Sequence, residues 1–283
     1  MFAAFEPGRL DHLLLVDPVT GRVAHATRAT SSEGYVANLR RSLWYLPVAA
    51  ATTCRTAVDR VRFGSMRPEP GTATKIAVVD GGPVDSVDAQ PALSADGTEL
   101  AIVLNTQPTL KDSGAGPTCG STDTIAVLNT RTHKIHYLMG RAGEQVDDLA
   151  WDHDKLIARV TQIQHSTTSE VEELNPTKTT SYAHGRIVLR EAHGRPGPVF
   201  RFHGCLAVIT RGTIGCIRGG RIRLSHGLHP LTGLPAVVER ATVASNDTDL
   251  LVQTPDGATY WWRDNTLHKV PVTVQGHWDE PTW

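Results

Sequence analysis

Three pairs of residues carry the clearest chemistry: Asp85 with Asp88, Asp147 with Asp148, and His226 with His229. Each pair stands at the approach to an apolar β run. Carboxylates are hard oxygen ligands that suit calcium, and imidazole suits zinc and other transition metals. If the pairs converge, they form a site for one divalent cation, Ca or Zn. Asp88, Asp147, Asp148, His226 and His229 would then be the acid–base groups of a metal-dependent enzyme acting on a small molecule. The competing reading needs no cofactor. Asp entering a strand commonly caps a turn, and His226 and His229 flank Gly227 and precede Pro230, as loop residues do.

A second group lies in the polar stretch 161–185, where His165, Glu170, Glu172, Glu173 and His184 combine acidic and imidazole side chains. The stretch 105–123 is Gly-, Ser- and Thr-rich. Stretches this long between compact elements are usually functional or disordered. The H-E-x-x-H, C-x-x-C-H and G-x-S-x-G signatures are missing, which removes the common zinc-protease, haem and α/β-hydrolase readings. Four cysteines (Cys54, Cys119, Cys205, Cys216) permit three pairings, and no C-x-x-C occurs. Cys205 and Cys216 flank a hairpin turn, so a cross-strand bridge is one alternative and buried free thiols the other. A bridge implies an oxidising compartment. Free thiols fit a cytoplasmic protein starting at Met1.

Charge excludes one class of partner. Lys and Arg number 28 against 29 Asp and Glu, so the chain lacks the basic excess of a nucleic-acid binder, and Arg40-Arg41 is too short for a patch. No run of 18 apolar residues encodes a transmembrane helix. The N-terminus lacks the basic-then-apolar plan of a signal peptide.

These residues must be positioned by β structure, because helical periodicity is nearly absent. Only Tyr35–Trp44 competes as a helix. Elsewhere short β runs alternate with Gly, Pro, Asp and Asn turns. One kind of hairpin recurs at 12–25, 75–87, 124–138, 186–200, 213–224 and 258–270. A second kind recurs at 35–48, 91–103, 148–160, 199–210 and 237–253. One hairpin of each kind makes a four-stranded antiparallel sheet, and radial repetition of such sheets makes a β-propeller. The expected fold is therefore all-β: a six-bladed β-propeller of four-stranded antiparallel blades, at roughly 47 residues each. Seven blades are the alternative, because 34–74 is long. Residues 1–283 form a single domain, its ring closed by the N- and C-terminal segments. Within a blade, the loops 105–123 and 161–185 fall on one face as connections between the second and third strands. Neighbouring residues of a strand face opposite ways, so Trp44-Tyr45 and Trp261-Trp262 must each serve two neighbours. Trp278 and Trp283 are expected to clasp the ring.

The segment Pro91-Ala-Leu-Ser-Ala-Asp-Gly-Thr-Glu-Leu-Ala101 resembles the TolB-type, WD40-like propeller repeat, P-x-[WFL]-S-P-D-G-x-x-[IL]-A. Ala95 replaces its second Pro and Leu93 its usual aromatic. Residues 148–158 keep the apolar spacing without the Pro or the Gly. The 22 Arg against 6 Lys are similar to the usage of actinobacterial TolB-like proteins, often anchored outside the membrane. The resemblance implies a protein-binding role and supplies no catalytic residues. The expected function is thus a non-catalytic interaction module, a monomer, binding a protein or peptide on the face with loops 105–123 and 161–185. Its expected location is extracytoplasmic, with a membrane anchor in a longer form; cytoplasmic is the alternative. The metal-dependent alternative resembles propeller lactonases and lyases. A small molecule bound on exposed Trp is a third reading.

Overall fold

The computed structural model describes residues 1–6, 9–28, 34–49, 54–64, 73–83, 90–105, 123–139, 144–152, 155–162, 185–191, 196–202, 205–209, 214–218, 221–224, 227–230, 238, 240–243, 249–254, 256–264, 266–272 and 279–282. Every regular element among them is a β-strand. The first sheet begins with β1 (Phe2–Glu6), β2 (Arg9–Val16) and β3 (Val23–Arg28). The second is β4 (Val36–Asn38), β5 (Leu43–Ala49), β6 (Arg55–Arg62) and β7 (Ala73–Asp80). The third holds β8 (Gly82–Pro83), β9 (Ala92–Leu93), β10 (Glu99–Asn105), β11 (Asp123–Asn129) and β12 (Ile135–Met139). The fourth is β13 (Glu144–Asp152), β14 (Lys155–Gln162), β15 (Gly185–Glu191) and β16 (Pro196–Phe202). The fifth is β17 (Leu206–Ile209), β18 (Ile214–Arg218), β19 (Arg221–Leu224) and β20 (Gly227–Pro230). The sixth is β21 (Arg240–Val243), β22 (Leu250–Gln253), β23 (Thr259–Arg263) and β24 (Thr266–Lys269). Finally, β25 (Asp279–Thr282) returns to the first sheet and pairs antiparallel with β1. All pairings are antiparallel and, apart from β25 with β1 and β8 with β10, join strands consecutive in the chain. In the third sheet, β8 and β9 share the place beside β10.

The inner strands are apolar on both faces because neighbouring sheets pack against them. Ala3, Phe5, Leu13 and Leu15 of the first sheet pack on Trp44, Leu46 and Val61 of the second. Tyr45, Val58 and Val79 turn the other way, onto Leu100, Leu104 and Leu128 of the third. Val103 and Val127 meet Val146, Trp151 and Leu156 of the fourth. Ile217 and Ile222 of the fifth meet Leu250, Val252 and Trp262 of the sixth. Leu251 and Trp261 of the sixth then pack on Phe2, Ala4 and Leu14 of the first. β17 lies against β13 and β14 of the fourth sheet.

Two indoles inside these interfaces are matched across sheets. The Trp44 indole Nε1 donates to Thr27 Oγ1 at 2.9 Å, and the Trp151 Nε1 donates to the Ala92 carbonyl at 3.1 Å. The repeat turn is fixed the same way. Ser94 Oγ donates to Asp96 Oδ1 at 2.7 Å and accepts the Glu99 N–H. Hydrogen bonds from Thr98 and Ser94 hold the Asp96 carboxyl down to about 2. Gly97 takes φ 72°, and a Cβ there would lie 2.5 Å from Asn38 Nδ2 of the second sheet. Only glycine fits both the left-handed backbone and that approach.

Residues 35–48 form the expected hairpin, occupied by β4, a turn and β5, and not the competing helix. Three expectations about elements need correction. Residues 75–87 are no single hairpin, because β7 ends the second sheet and β8 begins in the third. The outer pair is instead β6 with β7. Residues 199–210 straddle β16 and β17 of different sheets, and 213–224 is the middle pair β18–β19. The fifth sheet's strands β17, β19 and β20 have only four residues each, so turn spacing misplaced the unit by one strand. Cys205 and Cys216 do form a disulfide, their Cα atoms 5.7 Å apart. Cys54 is also disulfide-bonded, and no described cysteine is free. Trp278 and Trp283 lie outside the described residues. No helix among the described residues is long and apolar enough to cross a membrane.

Two outcomes test this packing. Trp44 is fully buried against Tyr35, with ring centroids 5.9 Å apart, so Trp44→Ala should lower unfolding free energy by about 3–5 kcal/mol, read as a shifted urea midpoint. Thiol titration of the unfolded, unreduced protein should find no reactive groups; four would remove both disulfides.

Candidate functional site

The described residues with the densest unusual electrostatics sit where the third and fourth sheets meet, at the ends from which the two long loops leave. β10 ends at Asn105 and β11 begins opposite it at Asp123, so loop 105–123 springs from that pair. β14 and β15 close on Thr161 and Gly185, the feet of loop 161–185. Asp123 joins the two positions. Its Oδ2 accepts the Val146 backbone N–H at 2.7 Å, and Val146 pairs with Val160 at the second loop's foot.

The local sequence explains why this bond exists. β13 runs in register with β14 to Val146 and then inserts one extra residue, Asp147, before Asp148 meets Arg159. Such a bulge leaves a residue outside the ladder and re-aims its side chain. Asp147 Oδ2 comes to 4.0 Å from Arg159 Nε, and both side chains are largely buried. Asp148 Oδ1 accepts the Leu149 N–H at 2.9 Å. The Asp123 carboxyl is pushed above its ordinary value, first by burial and then by the charge of Asp147, against the pull of the Val146 N–H. A side chain also fixes the passage from the second sheet to the third, where Thr56 Oγ1 donates to the Gly81 carbonyl at 2.8 Å. Asp123 therefore combines a sheet-to-sheet bond with a carboxyl that resists ionisation.

The expected site residues divide by place. Asp147 and Asp148 lie within β13, on the strand rather than in the loop before it. His229 lies in β20, the fourth strand of its sheet, and not in a connecting loop as the turn pattern suggested. Asp85, Asp88, His226, His165, Glu170, Glu172, Glu173 and His184 lie outside the described residues. No three His, Cys, Asp or Glu side chains among the described residues gather closely enough to hold a metal ion. Sequence reasoning passed over Asp123 and Arg159. The available signal for Asp123 was an acid directly before the apolar run Thr124–Leu128. Another polar group at a turn linking a second strand to a third was also missed: His12 Nδ1 lies 2.7 Å from Glu6 Oε2 beside the β1–β2 connection.

No family model matches the chain, and no curated protein matches it. Solved structures do. TolB from Acinetobacter baumannii superposes with a TM-score of 0.56 at 13% identity over 100% of this chain. The chain spans 65% of that protein's length. A chain of the nidogen/laminin complex gives 0.53 at 11% identity, covering 99% of this chain and 96% of that one. The acylaminoacyl peptidase of Pyrococcus horikoshii gives 0.55 at 10% identity, covering 92% of this chain and 41% of that one. Identities this low show the fold alone, and that fold is a TolB-like propeller.

The bond at Asp123 makes a testable pair of variants. Asp123→Ala leaves a buried N–H without an acceptor and should cost about 1–3 kcal/mol, whereas Asp123→Asn keeps an acceptor and should lose much less. A raised carboxyl favours the folded state only while protonated. The stability of the natural protein relative to Asp123→Asn should therefore fall as pH rises through that raised value, read by urea denaturation across the carboxylate range.

Proposed function

We propose that this protein is a six-bladed propeller acting as a non-catalytic interaction module. It binds a protein or peptide at the end that carries loops 105–123 and 161–185. The observation that carries the reading is the Asp123–Val146 hydrogen bond, which ties the feet of both loops to one rigid seam. Rigid strands presenting adjacent loops are the usual arrangement of a recognition surface. The fold likeness to TolB and to a chain of the nidogen/laminin complex supports the reading at the level of architecture. The packing of the sixth sheet on the first, with β25 on β1, supports a ring of six blades. The disulfides support an extracytoplasmic location.

The test places a photo-crosslinking residue at 112, at 172, or at Thr132 in the β11–β12 turn, which lies at the opposite end of the third sheet. A partner captured from the native extracytoplasmic fraction should crosslink from 112 and 172 and not from 132. Equal capture at all three positions overturns the assigned end. Elemental analysis of protein purified without chelator provides the second arm. One equivalent of calcium or zinc would replace this reading with the metal-dependent enzyme.

A further inference from the structure

The fifth sheet carries a second surface, remote in kind from the loop end. Between Glu191 and Glu239 the chain has no Asp or Glu over 47 residues, yet it has six arginines. The rest of the chain holds 22 basic against 29 acidic residues. Arg195 and Arg201 fall at the end of the fourth sheet's span, and the other four, Arg211, Arg218, Arg221 and Arg223, fall within the span of the fifth, in a protein whose net charge is −1.

Strand register collects three of these arginines on one face. Arg218 of β18 stands directly opposite Arg221 of β19, and Arg223 stands opposite Cys216. Residues two apart share a face, so Cys216, Arg218, Arg221 and Arg223 lie together. The alternate residues Ile217 and Ile222 are buried against the sixth sheet, which puts the arginine face on the other side. All three arginines are exposed, and none forms an ion pair with a described residue. Like charges directly opposite on neighbouring strands weaken a hairpin. Nothing described in the sheet offsets that cost, so a ligand of opposite charge is the natural complement. The Cys205–Cys216 disulfide ties β18 to the residue preceding β17 on this same face, holding the arginines in a preset frame.

We propose that this face binds an extended acidic polypeptide segment. Arg221 and Arg223 repeat at about 6.8 Å, two strand residues. Carboxylates at alternate positions of an extended peptide repeat at the same distance, and each can accept two parallel hydrogen bonds from a guanidinium. Arg218 sits about 5 Å across from Arg221 and adds a second guanidinium at the carboxylate that Arg221 holds. This surface stands independently of the loop end proposed above.

The experiment measures fluorescence anisotropy of the full, oxidised chain with a labelled twelve-residue peptide of alternating Glu and Thr. Comparison probes are an isomer with all Glu in one block and a single-stranded oligonucleotide of equal charge. The alternating peptide should bind the natural protein tightest, and binding should weaken with added salt. Arg218→Gln/Arg221→Gln/Arg223→Gln should raise Kd at least about tenfold through loss of three charge-assisted contacts. Arg131→Gln, exposed in the third sheet, should leave it unchanged, and a matching urea midpoint shows that the triple variant is folded. Should the triple variant fail to fold, the single variants Arg221→Gln and Arg223→Gln replace it, each expected to raise Kd. Unchanged affinity in the arginine variants overturns the proposal. So does tighter binding of the block isomer or of the oligonucleotide.

Discussion

Two-sided burial is the constraint on which the rest of this structure depends. An antiparallel sheet with one wet face can alternate apolar and polar residues. The inner strands here cannot, because neighbouring sheets cover both of their faces. Trp261 and Trp262 are adjacent in β23, yet one is buried against the first sheet and the other against the fifth. Trp44 and Tyr45 divide the same way between the first and third sheets. Continuous apolar runs such as Leu100–Leu104 and Ile125–Leu128 follow directly. Such interfaces fix every sheet's orientation and leave loops and outer strands as the variable parts.

Much of this was legible in the residues. Turn chemistry marked the strand ends: Gly97, His133 and Asp264 all take positive φ, at 72°, 60° and 49°. The adjacent aromatics announced a sandwiched sheet. Legibility failed where strands shorten to four residues. There the interval between turns no longer separates a hairpin within a sheet from the passage between two sheets, and the fifth sheet was misphased by one strand. The seam at Asp123 was illegible for another reason. Its meaning depends on a bulge at Asp147, and a bulge is a relation between two strands that no single-strand pattern carries. That Asp147 and Asp148 belong beside an inner strand was readable; their position within β13 and their facing of Arg159 were not.

Charge and polarity are handled in two ways that bear on function. Most buried polar groups are matched locally or across one interface, as with Thr27, Thr56 and Asp96. Arg263 is held bidentately by Asp249 at 2.8 and 2.7 Å while its guanidinium lies 4.8 Å from the Trp261 ring centre. Those pairs complete the frame and ask for nothing further. The fifth sheet differs in arrangement, because register brings Arg218, Arg221 and Arg223 together on one face.

The pairing of β25 with β1 has a consequence for the order of assembly. Ala3 lies beside Thr282, so β1 receives this neighbour only after the 278 residues between the two have been made. Until then β1 presents an open edge of unpaired N–H and C=O groups, a template that other chains can join. Contacts of such long sequence separation are slow to form, because closure entropy must be met first. Folding intermediates in which β25 has not yet docked therefore carry this open edge of β1, and its shielding protects them from joining other chains.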